Sequence, residues 1–250
     1  SGKLVDTIAR KVSDYPSNAN FGNKFKNLYV EDIYVGYRFF ETFQRDAVLF
    51  PFGFGLSYTS FKTKVVEYKK TEQEINLKFL VCNTGTSKGQ EVIQMYCEAP
   101  QGKLGKPFVE LIGFGKTTSL YPGDSQEITI SIPLYRIASY DDGGYTGHKS
   151  AYVLEEGNYK IYYGNHVRDL NLAFSFELDA LVVVEQLQES LAPITAFERM
   201  VPGIRKSSGE YEIAYQKVPT RTVDLAQRVK SRLPKNITYK GPLGITLQDV

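Results

Sequence analysis

The residues of this chain with reactive side chains are few, and their spacing does not suit catalysis. Two adjacent acidic pairs stand out: Asp141-Asp142 in the glycine-rich run SYDDGGYTGHKS, and Glu155-Glu156 just before Gly157. Acid/base catalysis needs carboxyl groups that converge on one substrate, whereas neighbours on an extended backbone point to opposite sides. The first pair therefore reads as a solvated loop and the second as a turn. Calcium is the sharper alternative for the first, but the run lacks the alternating oxygen ligands of a calcium loop. The two histidines, His148 and His166, stand apart without the spacing of a zinc pair. Ser57 lies in Gly55-Leu56-Ser57-Tyr58, which is not a nucleophile elbow, and Gly53-Phe54-Gly55 lacks the third glycine of a phosphate loop. Asn236-Ile237-Thr238 matches a glycosylation sequon by pattern only. No residue is assigned a catalytic, cofactor-binding or metal-binding role, and no cofactor is expected.

Composition narrows the partners. The chain has 250 residues, 42% of them hydrophobic and 23% charged, as in globular domains with a real core. Thirty basic and 28 acidic residues leave a net charge of +2, too weak a field to recommend nucleic acid or an anionic membrane. No apolar run approaches the roughly 20 residues of a membrane-spanning helix. Cys82 and Cys97 are too few for a disulfide framework and lack CxxC spacing. They are expected as buried or half-buried free thiols in a reducing compartment, and the cytoplasm is the expected location.

The elements that would hold these residues are mostly strands. Phe61 to Lys70 forms a first run, and Ile75, Leu77, Phe79 and Val81 alternate with polar neighbours. Val92 to Cys97, Val109 to Phe114, the Ile128-Ile130-Ile132 series, the Tyr159-Ile161-Tyr163 series and Leu170 to Phe176 follow, with turns between them. Seven such strands predict a two-sheet antiparallel sandwich, and Leu154-x-x-Gly157-x-Tyr159-x-Ile161 predicts a tyrosine corner within it. Residues 1 to about 28 show no sustained period and read as loops and short elements. After Leu178, residues 180–185 could add an edge strand. Pro193, Pro202-Gly203, Ser207-Ser208-Gly209 and Pro219 then punctuate an extended linker. Thr222 reads as the N-cap of a short helix with Leu225, Val229 and Leu233 on one stripe, ended by Pro234.

One stretch is dense in aromatics and glycine rather than in catalytic types. Tyr29, Tyr34, Tyr37, Phe39, Phe40, Phe43, Phe50, Phe52, Phe54 and Tyr58 fall within 30 positions, interspersed with Gly36, Gly53 and Gly55. Such a stretch is expected to be buried. Within it, Glu31 is expected to pair with Arg38. Its wording, Tyr29-x-Glu31-x-Ile33-Tyr34-Val35-Gly36-Tyr37-Arg38 and then Phe50-Pro51-Phe52-Gly53-Phe54-Gly55-Leu56-Ser57-Tyr58-Thr59-x-Phe61, resembles one segment of the family-3 glycoside hydrolases. In that family's β-glucosidase group, the segment leads from an (α/β)6 sandwich domain into a fibronectin type III-like domain. Ser1-Gly2-Lys3-Leu4 with Thr7, Asp14-Tyr15-Pro16-Ser17, Gly89-x-Glu91-Val92-x-Gln94-x-Tyr96, Lys106-Pro107-x-x-Glu110-Leu111-x-Gly113-Phe114 and Tyr121-Pro122-Gly123-Asp124 extend the likeness. Residues 232–250 resemble the lead-in to the catalytic barrel in the domain-permuted branch.

The resemblance implies a mainly β chain: residues 1–58 end the (α/β)6 domain, 59–179 form the fibronectin-like sandwich, and 180–250 link toward a barrel. Retaining glycoside hydrolysis uses two carboxyl groups about 5–5.5 Å apart. In this family the nucleophile belongs to the barrel and the acid/base to the (α/β)6 domain ahead of the Ser-Gly-Lys-Leu segment, so neither falls within residues 1–250. The chain then reads as a non-catalytic fragment whose partners are the parent's other domains, with β-glucoside met only through the parent's active site. An apolar patch near residues 29–54 is expected where those domains dock. The rival reading is a stand-alone adhesion or carbohydrate-binding sandwich, marked by a row of exposed aromatics among the chain's 18 tyrosines.

Overall fold

Alternating runs become strands when a second sheet covers their apolar face, and this chain supplies both sheets. The structure is a computed structural model that describes residues 2–222. In chain order its elements are β1 (Ile8–Ala9), α1 (Tyr37–Phe43), β2 (Val48–Phe50), β3 (Phe61–Lys70), β4 (Glu74–Asn83), β5 (Val92–Glu98), β6 (Glu110–Lys116) and β7 (Ser125–Pro133). They continue with β8 (Ser139–Asp141), β9 (Ala151–Leu154), β10 (Gly157–His166), β11 (Asp169–Leu178), β12 (Val182–Gln186), β13 (Glu198–Arg205) and β14 (Tyr211–Lys217). One sheet runs β3-β4-β7 and the facing sheet β11-β10-β5-β6, all antiparallel. All seven strands expected from the periodicity are present in these two sheets.

The core lies between the sheets. Ile75, Leu77, Phe79 and Val81 of β4 meet Ile93, Met95 and Cys97 of β5, with Ile130 and Ile132 of β7 and Tyr159 and Ile161 of β10 beside them. Each such side chain, fully buried, stabilises the fold by about 1.5–3 kcal/mol relative to an exposed one. The Tyr159 hydroxyl donates to the Glu155 carbonyl at 2.9 Å, which is the tyrosine corner. A third small sheet, β12-β9-β8, continues the sandwich at the β9–β10 end.

Two elements depart from the sequence expectation. The aromatic stretch contains the helix α1, whose Phe39, Phe40 and Phe43 are buried together with Tyr34. After Leu178 the expected edge strand forms as β12 at the edge of the third sheet, whereas the punctuated run beyond it folds into the hairpin β13-β14 instead of an extended linker. Pro202 sits at a register break in that hairpin, and Gly209 bonds back to Lys206 in its turn, so both breakers shape a hairpin rather than prevent one. Its Met200, Tyr211 and Ile213 pack on the α1 cluster, which gives the hairpin its apolar support. The helix expected after Thr222, the barrel lead-in and the Asn236 sequon lie outside the described residues.

Candidate functional site

The site is a seam between the aromatic stretch and one face of the sandwich. In β5, alternate residues Ile93, Met95 and Cys97 enter the core, while Gln94 and Tyr96 point the other way and are buried too. Tyr96 packs with Val109 and Val167 in a second cluster that Tyr37, Phe52 and Phe108 complete. Its hydroxyl donates to Gln94 Oε1 at 2.6 Å, and Gln94 Nε2 donates to the Asn165 carbonyl at 2.8 Å. Gly53 lies against that amide with φ 81°, and a Cβ there would fall 2.3 Å from Gln94 Oε1. Gly55 is equally constrained, because a Cβ would fall 2.4 Å from the Gly2 carbonyl oxygen. The glycines of this motif therefore serve close packing.

Polar pins cross the same seam. Lys3 reaches Glu91 at 3.4 Å, and Arg38 reaches Glu110 at 2.9 Å. The Leu111 amide donates to the Tyr37 hydroxyl at 2.8 Å, and the Phe108 amide donates to Thr42 Oγ1 at 2.9 Å. Arg168 Nε donates to both oxygens of the buried Glu41 at 2.9 and 3.1 Å. The Glu31–Arg38 pair expected from sequence does not form, because Arg38 extends across the seam to β6. Lys3, Gly53 and Arg38 lie in three of the motifs read above, and each meets a residue of another motif.

The acidic pairs prove structural. The solvated-loop reading of Asp141-Asp142 is overturned, since Asp141 is fully buried. Burial opposes its charge, but bonds from the Thr146 hydroxyl (2.6 Å) and the amides of Gly144, Tyr145 and Thr146 (2.6, 2.9 and 2.8 Å) outweigh it and hold its pKa below the usual value. Asp142 binds Arg199 of the hairpin through two bonds of 2.6 and 3.0 Å, and the same guanidinium reaches Asp32 at 3.2 Å. Burial raises the Asp32 pKa in spite of that partner. Arg199 thus joins the aromatic stretch, the sandwich and the hairpin at one point. Glu155 pairs with buried Lys106 and also accepts the Lys103 amide at 2.6 Å, fixing the β5–β6 loop. Each of these carboxylates is held by partners within the protein.

The remaining reactive types divide between packing and solvent. His166 lies beside Phe54 with ring centres 5.9 Å apart, its Nδ1 accepts the Arg168 amide at 3.2 Å, and burial lowers its pKa. His148 is exposed in the glycine-rich loop. Among the described residues no group of three His, Cys, Asp or Glu could hold a metal ion. Ser57 is exposed, and its Oγ accepts the Thr59 amide at 3.4 Å. Cys97 is buried, which raises its pKa, and Cys82 is half-buried. Arg168, Glu41 and Arg199 were not singled out from sequence, because their partners lie far away in the chain.

Burial of the aromatic stretch is only partial. Tyr34, Phe39, Phe40 and Phe43 are enclosed, whereas Tyr29, Val35, Leu49, Phe50, Leu56 and Tyr58 remain exposed. Val5, Val12, Phe21 and Phe25 on the preceding segment are exposed as well. These exposed apolar side chains fall on and around the stretch where an apolar patch is expected.

Comparison with known proteins gives this arrangement a family. Residues 91–167 match the fibronectin type III-like domain. Over its whole length the chain is 47% identical to a β-glucosidase of Ruminococcus albus, of which it covers 26%. Among solved structures it matches a β-glucosidase from Paenibacillus barengoltzii at 52% identity and TM-score 0.90, over 99% of this chain and 28% of that one. It matches β-glucosidase 3B from Thermotoga neapolitana at 37% identity and TM-score 0.65, over 73% of this chain and 25% of that one. The chain belongs to the family-3 glycoside hydrolases, as the portion of such a protein that carries the fibronectin type III-like domain. It spans about a quarter of the length of the relatives it matches.

Proposed function

We propose that this chain is the brace of a retaining β-glucosidase, holding an (α/β)6 domain and a catalytic barrel in register while supplying neither catalytic carboxyl group. The observation that carries the reading is the seam. A segment with exposed apolar side chains on one side is pinned on its other side to a self-contained sandwich through residues from several motifs. Catalytic geometry tolerates little displacement, so a rigid seam between domains that share a substrate serves the reaction without touching it.

The domain-permuted arrangement, with the barrel following residue 250, is supported by the resemblance of residues 232–250 to a barrel lead-in. The cytoplasm is the proposed compartment, on the two unpaired thiols. Assaying an aryl β-glucoside with the 250-residue chain and with the full reading frame that contains it tests the proposal. We expect turnover by the full protein alone. Turnover by the isolated chain would sink the brace reading.

A further inference from the structure

Three tyrosines form a continuous row on the surface. Tyr140 of β8 and Tyr152 of β9 are paired in register, so their side chains share one face of the sheet, with ring centres 5.1 Å apart. Tyr135, on the turn before β8, lies 4.5 Å from Tyr152 between ring centres. Tyr135 and Tyr140 are 41% and 40% exposed, so the row presents aromatic surface to solvent. Most other tyrosine contacts in the chain belong to the core or the seam, and this row belongs to neither cluster.

The row runs into a cleft of about 390 Å³, with Tyr140 and Tyr152 on its wall. Asp32, Asp142, Arg38, Arg199 and Glu110 also line it, from the aromatic stretch, the sandwich and the hairpin. These groups are paired with one another and partly exposed, and each carboxylate oxygen keeps a lone pair for a further hydrogen bond. Three carboxylates beside two guanidiniums and the Lys106 ammonium leave the cleft near neutrality, which suits a neutral polyhydroxy ligand better than an ion. Planar charged groups that can bond adjacent hydroxyls, next to aromatic faces that take an apolar ring face, are the complement of a pyranose. Tyr135 carries the row beyond the cleft, so the ligand is longer than one ring.

We propose that the Tyr135–Tyr152–Tyr140 row and its cleft bind a β-linked glucan chain. That the sugar is a β-glucan rests on the family reading, and the site itself rests on the tyrosine geometry. The test is affinity electrophoresis of the full protein in gels containing soluble mixed-linkage β-glucan. Retardation is expected, and Tyr140→Ala and Tyr135→Ala should each weaken it about fivefold to tenfold, while Tyr140→Phe keeps most of it. Tyr135 is on an exposed turn, so its variant separates lost binding from lost folding, with melting temperatures as the check. Equal retardation of wild type and both alanine variants would overturn the proposal, as would no retardation at all. Hydrolysis of a small aryl β-glucoside by the wild type checks the family reading independently.

Discussion

The two sheets of the sandwich share one core but differ on their outer faces. Outside β3-β4-β7, lysines and glutamates such as Lys62, Lys64, Lys78 and Glu127 face water. Outside β11-β10-β5-β6, Gln94 and Tyr96 are as buried as the core itself, because the aromatic stretch covers them. The first sheet faces water here and the second is a joint. A strand buried on both faces thus marks where another domain is held, and here that domain's own outer side still shows apolar residues.

Substitutions in the three zones test this contrast in order of expected effect. In the core, Phe79→Ala should cost about 3–5 kcal/mol in urea unfolding, because Phe79 is fully enclosed by both sheets. A loss below 1 kcal/mol would mean the sandwich is not the stable unit. Next comes Lys106→Met, which strands the buried carboxylate of Glu155 and should cost roughly 3 kcal/mol; adding Glu155→Leu should recover much of that loss. Full additivity of the two changes would argue against a coupled pair.

A pH series separates the loop from the core. The folded-state pKa of Asp141 is lowered, so its charge stabilises the fold above the ordinary carboxylate value of about 3.9, and that contribution fades as pH falls through the folded value. The stability gap between wild type and Asp141→Asn should therefore be widest near neutral pH and shrink below about pH 4. A gap independent of pH would contradict the hydrogen-bond assignment. The smallest effect belongs to the solvent face, where Lys78→Ala breaks a half-exposed pair with Glu127 and should change stability by about 0.5 kcal/mol or less.

The same contrast explains what the sequence disclosed. The sandwich strands were legible because each buries one face, and period-two alternation records that directly. Tyr159 and its corner were legible because the motif is local. The helix α1 was hidden, since seven residues with three phenylalanines packed into a joint show no amphipathic stripe. The hairpin β13-β14 was hidden behind Pro202, Gly203 and Gly209, because its support comes from α1 rather than from its own alternation. Ion pairs such as Arg168–Glu41 and Arg199–Asp142 join residues 127 and 57 positions apart, and no local pattern announces such a contact. The seam motifs were visible only as wording resembling a family, and the structure supplies their physical reason in Gly53 against Gln94 and Lys3 against Glu91.

The most direct test of the brace is a change in the seam read out at the active site. In the full protein, Gly53→Ala forces a methyl group against Gln94 at a backbone angle that side chains rarely adopt, while Lys64→Ala alters only the solvent face. Both would be assayed on an aryl β-glucoside well below their melting temperatures, with circular dichroism confirming the fold. The account predicts that kcat/KM falls about tenfold or more for Gly53→Ala and stays at the wild-type value for Lys64→Ala. An unchanged kcat/KM in a folded Gly53→Ala protein would contradict it.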